Sequence, residues 1–151
     1  MQQHFPQDII NAAQASQATW HIPASITLAQ FLVESGAGAH MPGGQASHNP
    51  FGIKAAKGQP YVTSRTREVV HGHTVYLDAK FRKFDSFAQA FDSHGKLLAL
   101  ASPYAHARTL LPDPKKFANA LTGVYATDPH YGTALIHTMD IYNLYQYDVK
   151  A

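Results

Sequence analysis

Pro23-Ala-Ser-Ile-Thr-Leu-Ala-Gln-Phe-Leu-Val-Glu34-Ser35-Gly36-Ala37-Gly38 is the stretch on which the reading of this chain turns. Ile26, Leu28, Ala29, Phe31, Leu32 and Val33 leave it almost no polar face, which predicts a helix at the centre of a core. Pro23 suits the first helical position, where a missing N–H leaves nothing unpaired. The run ends on a carboxylate, Glu34, and the glycines that follow let the chain turn away without covering it. A carboxyl in the last turn of a buried helix loses hydration and faces the negative end of the helix dipole. Both effects raise its pKa. A carboxylic acid held protonated near neutral pH is what a leaving glycosidic oxygen needs as its proton donor.

On the N-terminal side, residues 7–19 carry Ile9, Ile10, Ala13 and Ala18 in a helical pattern. On the other side, residues 36–60 are rich in Gly and Pro and read as a long functional loop. The period then changes to two. Val75, Leu77, Ala79 and Phe81 alternate with Tyr76, Asp78, Lys80 and Arg82, a half-buried strand. Tyr61–Val70 reads as its partner, with Val62, Ser64, Thr66, Glu68 and Val70 on one face and His71-Gly72-His73 as the turn. Ser86 caps a following helix that carries Phe87, Ala90, Phe91, Leu97 and Leu98. Asp113-Pro114 opens a short helix closed by Gly123, and Asp128-Pro129 opens the last one, with Asp128 as its N-cap.

Composition narrows the function. At 151 residues the chain reads as one domain, 1–151, large enough to bury a core. A net charge of +2 without a Lys/Arg cluster argues against a nucleic-acid partner. Cysteine is absent, which excludes disulfides, thiolate zinc sites and thiol nucleophiles. No apolar stretch reaches the ~18 residues of a membrane span. Met1-Gln-Gln-His-Phe-Pro6 shows no secretory signal. The ten histidines are scattered, with no His-Glu-x-x-His helix, so neither a metal nor another cofactor is expected.

Four strings, in order, extend this reading. The helix ending in Glu34-Ser35-Gly36 is followed by Ser47-His48-Asn49-Pro50-Phe51-Gly52-Ile53-Lys54, by Ala79-Lys80-Phe81-Arg82-Lys83-Phe84-Asp85-Ser86, and by Tyr125-Ala126-Thr127-Asp128-Pro129-His130-Tyr131. Together they resemble the glucosaminidase family of peptidoglycan hydrolases, glycoside hydrolase family 73, over about residues 7–145. That family includes the hydrolase domain of flagellar rod-associated muramidases and many bacterial autolysins. The resemblance implies an α+β, mainly helical lysozyme-like fold in which a β-hairpin lobe forms one wall of the substrate cleft. It implies cleavage of peptidoglycan glycan strands at the β-1,4 bond after N-acetylglucosamine.

By position, the resemblance gives Glu34 the role of general acid, Glu68 that of the second carboxylate, and Tyr125 that of the tyrosine near the scissile bond. Phe51, Gly52 and Lys54 match the loop that shapes the sugar cleft, and Asn49 and Tyr131 complete the expected substrate-binding set. The aromatic that commonly follows the second glutamate is replaced by Val69. Read from the residues alone, Glu68 also fits the solvated face of an edge strand, Asn49 an Asx-turn within its own loop, and Phe51 burial under that loop. Glycoside hydrolysis usually takes two carboxyls, roughly 5–5.5 Å apart for retention and roughly 6.5–9.5 Å for inversion, or an N-acetyl group of the substrate in place of one.

The expected activity is that of an endo-β-N-acetylglucosaminidase acting as a monomer. Its rivals are a muramidase or lytic transglycosylase of the same fold, and a wall-binding or assembly module without catalysis. The expected setting is a lysin, such as a phage endolysin or a secreted antibacterial effector, that acts in the periplasm or at the cell wall after delivery. An immunity or inhibitor protein is a natural partner for such an enzyme.

Overall fold

Helix α2 (Ala24–Ser35) is buried from Ala24 through Phe31 and forms the axis of the domain. The computed structural model describes residues 4–150; residues 1–3, part of the stretch read for a targeting signal, lie outside the described residues. Pro23 stands one position before α2 as its N-cap, and its side chain has no acceptor for the first free N–H groups. Asp148 does so, accepting from the Ser25 backbone N–H at 2.7 Å and the Ser25 hydroxyl at 2.8 Å. The helix closes on Gly36, at φ +58°, whose N–H donates to the Leu32 carbonyl at 2.9 Å. This left-handed cap is one that glycine adopts without strain. Val33 departs from the expected core and is 40% exposed. The last turn of α2 runs past its packing neighbours to the open edge where Glu34 emerges.

The other helices wrap this axis. Helix α1 (Gln7–Trp20) lies against α3 (Phe87–Leu100), and the two backbones approach closely at Gly95, where a Cβ would overlap Ser16 and Trp20. Ser86 caps α3 as expected, accepting from the Gln89 N–H at 3.1 Å. A four-residue turn, α4 (Ala105–Arg108), leads to α5 (Pro114–Ala120), whose N-cap Asp113 accepts from Lys115 and Lys116 at 3.0 and 3.1 Å.

Helix α6 (Tyr131–Ile141) begins later than its sequence suggests. The Asp128 carboxylate accepts from the His130 N–H at 2.8 Å, and its carbonyl accepts from the Tyr131 N–H at 3.1 Å. Asp128 therefore builds an Asx-turn ahead of the helix rather than capping it.

Gly132 sets how closely α6 lies on α5. A Cβ there would stand 2.8 Å from the Ala118 carbonyl and 2.6 Å from the Thr122 hydroxyl. Overpacking against backbone costs about 1–3 kcal/mol, and alanine's helix preference returns roughly 0.5–1 kcal/mol. Gly132→Ala is therefore expected to lower stability by about 1–2 kcal/mol in urea unfolding, with an unchanged m-value.

The hairpin pairs β1 (Tyr61–Val70) with β2 (His73–Arg82) in antiparallel register from Tyr61↔Arg82 to Val70↔His73. The turn is the two residues His71 and Gly72, at φ +50° and +77°, with positive φ at both positions as a type I′ turn requires. His73, expected in the turn, is the first residue of β2. Val62, Ser64, Thr66 and Glu68 share the inner face with Phe81, Ala79, Leu77 and Val75. The outer face is basic and aromatic, with the Arg65 guanidinium 5.4 Å above the Tyr76 ring.

Among the described residues, the hairpin's hydrogen bonds to the rest of the domain gather at its base. Arg82 donates to the Ile53 carbonyl at 2.9 Å, Ala55 to the Lys80 carbonyl at 3.0 Å, and the Asn49 amide to the Arg82 carbonyl at 2.9 Å. No helix among the described residues is long and apolar enough to cross a membrane.

Candidate active site

Glu34 stands at the junction of two hollows. One, of about 470 Å³, runs toward the helices and is lined by Phe51, Gly52, Lys54, Tyr104 and Tyr125 among others. The second, of about 760 Å³, runs toward the loop and hairpin and is lined by His40, Gln45, Gly52, Ser64 and Thr66 among others. A larger hollow of about 800 Å³ at the hairpin base, Ala55–Tyr61 with Lys80, contains no carboxylate. Size alone does not mark the site; the carboxyl does.

Although Glu34 is exposed as a residue, it lines both hollows. The loss of hydration there raises its pKa above the ordinary carboxylate value, and the hydrogen bond from Tyr131 partly opposes the rise. The Tyr131 hydroxyl donates to Glu34 Oε1 at 2.7 Å and accepts from the Gln30 amide at 2.8 Å. Gln30 Oε1 in turn lies 2.7 Å from His94 Nε2. Burial holds the His94 pKa down at about 3, so the ring is neutral at working pH and donates through Nε2. Its face stacks on Phe51, ring centres 4.1 Å apart.

The expected substrate contacts divide. Gly52 and Lys54 line the cleft, with Gly52 at φ +66° and nothing near its missing Cβ. Asn49 is turned inward and fully buried. Its amide donates to the Ile53 and Arg82 carbonyls at 2.8 and 2.9 Å, and its Oδ1 accepts from the Ile53 N–H at 3.0 Å. Its side chain organises the loop and has no face left for a sugar. Phe51 is 3% exposed and packs between His94 and Phe91, which leaves no ring face free for stacking. Tyr131 is 4% exposed and touches Glu34 instead of solvent.

Tyr125 lines the helical-side hollow, its ring stacked on Tyr131 at 5.7 Å. Its hydroxyl lies 3.5 Å from the Phe51 carbonyl, too long to commit the proton. Burial and the nearby Glu34 push its pKa well up, so it stays a phenol and acts as a donor. Glu68 lines neither of the two hollows at Glu34. It accepts from the Thr66 hydroxyl at 3.1 Å and faces the Lys54 ammonium at 4.0 Å. Lys54 thus reaches from the cleft floor to the hairpin's carboxylate. No group of three or more His, Asp or Glu among the described residues is placed to hold a metal ion.

Gln30 and His94 were not among the sequence candidates. Gln30 lies among the apolar residues of α2, and His94 shares a helix face with Ala90, Phe91 and Leu98 of α3; a buried polar group needs a partner. That rule signals a network without saying where it leads.

The sequence profile described as mannosyl-glycoprotein endo-beta-N-acetylglucosaminidase, the glucosaminidase family, matches residues 10–144. The chain belongs to this family of glycoside hydrolases. It is 32% identical over 154 residues to an autolysin of Enterococcus faecalis, an alignment that takes in 97% of this chain and 21% of that protein. It is 33% identical to the exo-glucosaminidase LytG of Bacillus subtilis, over 97% of this chain and 54% of LytG. The chain therefore spans between about a fifth and about half the length of these curated relatives. The crystal structure of the catalytic domain of the autolysin Auto from Listeria monocytogenes superposes with a TM-score of 0.82 at 28% identity, covering 97% of this chain and 90% of that one.

Proposed function

We propose that this domain hydrolyses the glycan strands of peptidoglycan at the β-1,4 bond after N-acetylglucosamine, with Glu34 as general acid. The observation that carries the reading is the placement of the Glu34 carboxyl, raised in pKa, between two hollows that can each take a sugar. The names of the relatives, an autolysin and an exo-glucosaminidase, support the substrate class. Glu34 protonates the leaving oxygen as the C1–O bond breaks. In this reading Glu68 is the base that activates water on the opposite face of the ring, giving inversion. The hairpin must close for that, because Glu68 now faces Lys54 outside both hollows.

Tyr125 favours a second route. Its uncommitted phenol lines the hollow that holds Glu34, where it can orient an N-acetyl group attacking its own anomeric carbon. The biological setting in this proposal is the cell wall or periplasm, reached by delivery as a phage endolysin or secreted effector, with an immunity protein as a partner to be sought.

Digestion of purified peptidoglycan, followed by borohydride reduction and mass spectrometry, tests the bond that is cut. Reduced N-acetylglucosamine ends are expected. Reduced muramic ends would make it a muramidase, anhydro-muramic ends a transglycosylase, and no new ends from folded protein a binding module. The anomer first released, followed by proton NMR, separates inversion from the retention that N-acetyl participation gives.

A further inference from the structure

We propose that His94, Gln30 and Tyr131 are positioning residues, a buried one-way relay of hydrogen bonds that dictates which oxygen of Glu34 carries the acid proton. The inference rests on Glu34 as the acid. Three short links in series connect the middle of α3 to the cleft. They run from His94 Nε2 to Gln30 Oε1 at 2.7 Å, from the Gln30 amide to the Tyr131 hydroxyl at 2.8 Å, and from that hydroxyl to Glu34 Oε1 at 2.7 Å. Gln30 and His94 are fully buried and Tyr131 nearly so, so water offers none of them an alternative partner.

The direction of the relay follows from what is left over at its far end. His94 Nδ1 has no partner among the described residues. With every donor aimed at Glu34, Nε2 carries the proton and the orphan is a bare lone pair. Reversing the chain would turn the Gln30 amide around, move the imidazole proton to Nδ1 and bury an unpaired N–H. Orphaned donors are the rarer and costlier of the two. The relay therefore points toward the cleft.

With Tyr131 donating to Oε1, that oxygen is held as an acceptor. The carboxylic proton then resides on Oε2, which has no protein hydrogen-bond partner among the described residues and is free to meet the leaving oxygen. The other titratable groups around Glu34 do not supply this lock. Tyr104, Tyr125 and Lys54 line the helical-side hollow, and His40 and Arg65 the other, while Glu68 is turned to Lys54. On the His94 side the facing titratable group is Tyr125, ring centres 6.1 Å apart.

The test uses carboxyl-13C-labelled glutamate, with Glu34 assigned by its loss in Glu34→Gln, and follows its titration alongside kcat and KM. His94→Phe keeps a ring against Phe51 and removes the donor. It is expected to raise the Glu34 pKa further, move the alkaline limb of the kcat profile with it, and lower kcat about tenfold at unchanged KM. His94→Gln restores an N–H near the position of Nε2 and is expected to return both values toward wild type. A folded His94→Phe with wild-type titration and kcat would overturn the relay, and so would His94→Gln as impaired as His94→Phe, since packing would then be the whole effect. Should His94→Phe not fold, Tyr131→Phe removes the final donor and must produce the same upward shift, or the relay is wrong. An active Glu34→Gln would instead remove Glu34 as the acid, an outcome the carboxyl titration reads separately.

Discussion

Glu34→Gln is expected to lower the rate of peptidoglycan hydrolysis by about 10²- to 10⁴-fold, the usual worth of a positioned general acid. The substitution keeps an oxygen to accept from Tyr131, so the lattice of bonds behind the site survives. In the proposed mechanism it removes only the proton that the leaving group takes. Binding to intact walls should persist, which separates a lost acid from a lost fold.

The same variant carries a stability signature with a definite sign. Loss of hydration raises the folded-state pKa of Glu34 above its ordinary value. Between those two values the folded chain holds more protons than the unfolded one, so stability falls as pH rises through the interval. Glutamine has no proton to lose there. Glu34→Gln should therefore melt above wild type at neutral pH, with the difference closing as pH drops below the ordinary carboxylate value. Paired calorimetric melts across that range check it. A wild type that melts higher at neutral pH would mean the carboxylate is stabilised in place, not strained.

The largest stability loss is expected from Phe91→Ala. Phe91 is fully buried, and its ring stands 5.4 Å from that of Phe31 on α2 and 5.1 Å from that of Phe51 in the loop. Removing a ring from such a position costs about 3–5 kcal/mol, because the surroundings collapse only in part. Against a total of roughly 5–15 kcal/mol that is a large share, and it corresponds to a fall in melting temperature on the order of 10 °C. Urea unfolding measures it directly. Activity should fall as well in the protein that remains folded, since Phe51 loses the support that holds it over His94. A variant that kept wild-type stability would show that this core repacks freely.

Much of this architecture is legible in the residues. The apolar residues spread around α2 mark a central helix, and the alternation from Val75 to Phe81 marks a half-covered strand. Ser86 and Asp113 announce helix starts because their side chains have the reach to accept from the following N–H groups. The direction in which a motif residue points is harder to read. Asn49, Phe51 and Tyr131 all sit in recognisable strings, and all three are turned inward to hold the cleft in shape. Their orientation depends on turn geometry at Gly52 and at Asp128, which a string of letters does not contain. Gln30 and His94 escape notice for a related reason. They are 64 positions apart, and their partnership exists only after α2 and α3 have packed.

The hairpin's attachment at one end has a consequence for how this enzyme fails on heating. Its fastenings to Ile53, Ala55 and Asn49 all lie near Lys80 and Arg82, while Glu68 projects farther out with Lys54 as its contact across the cleft. Helices and hairpin therefore need not melt as a single unit. The ribbon can fray while the helical body, with Glu34 still seated, stays intact. With Glu68 as the proposed base, catalysis should disappear some degrees below the unfolding transition, and return on cooling without any refolding of the core.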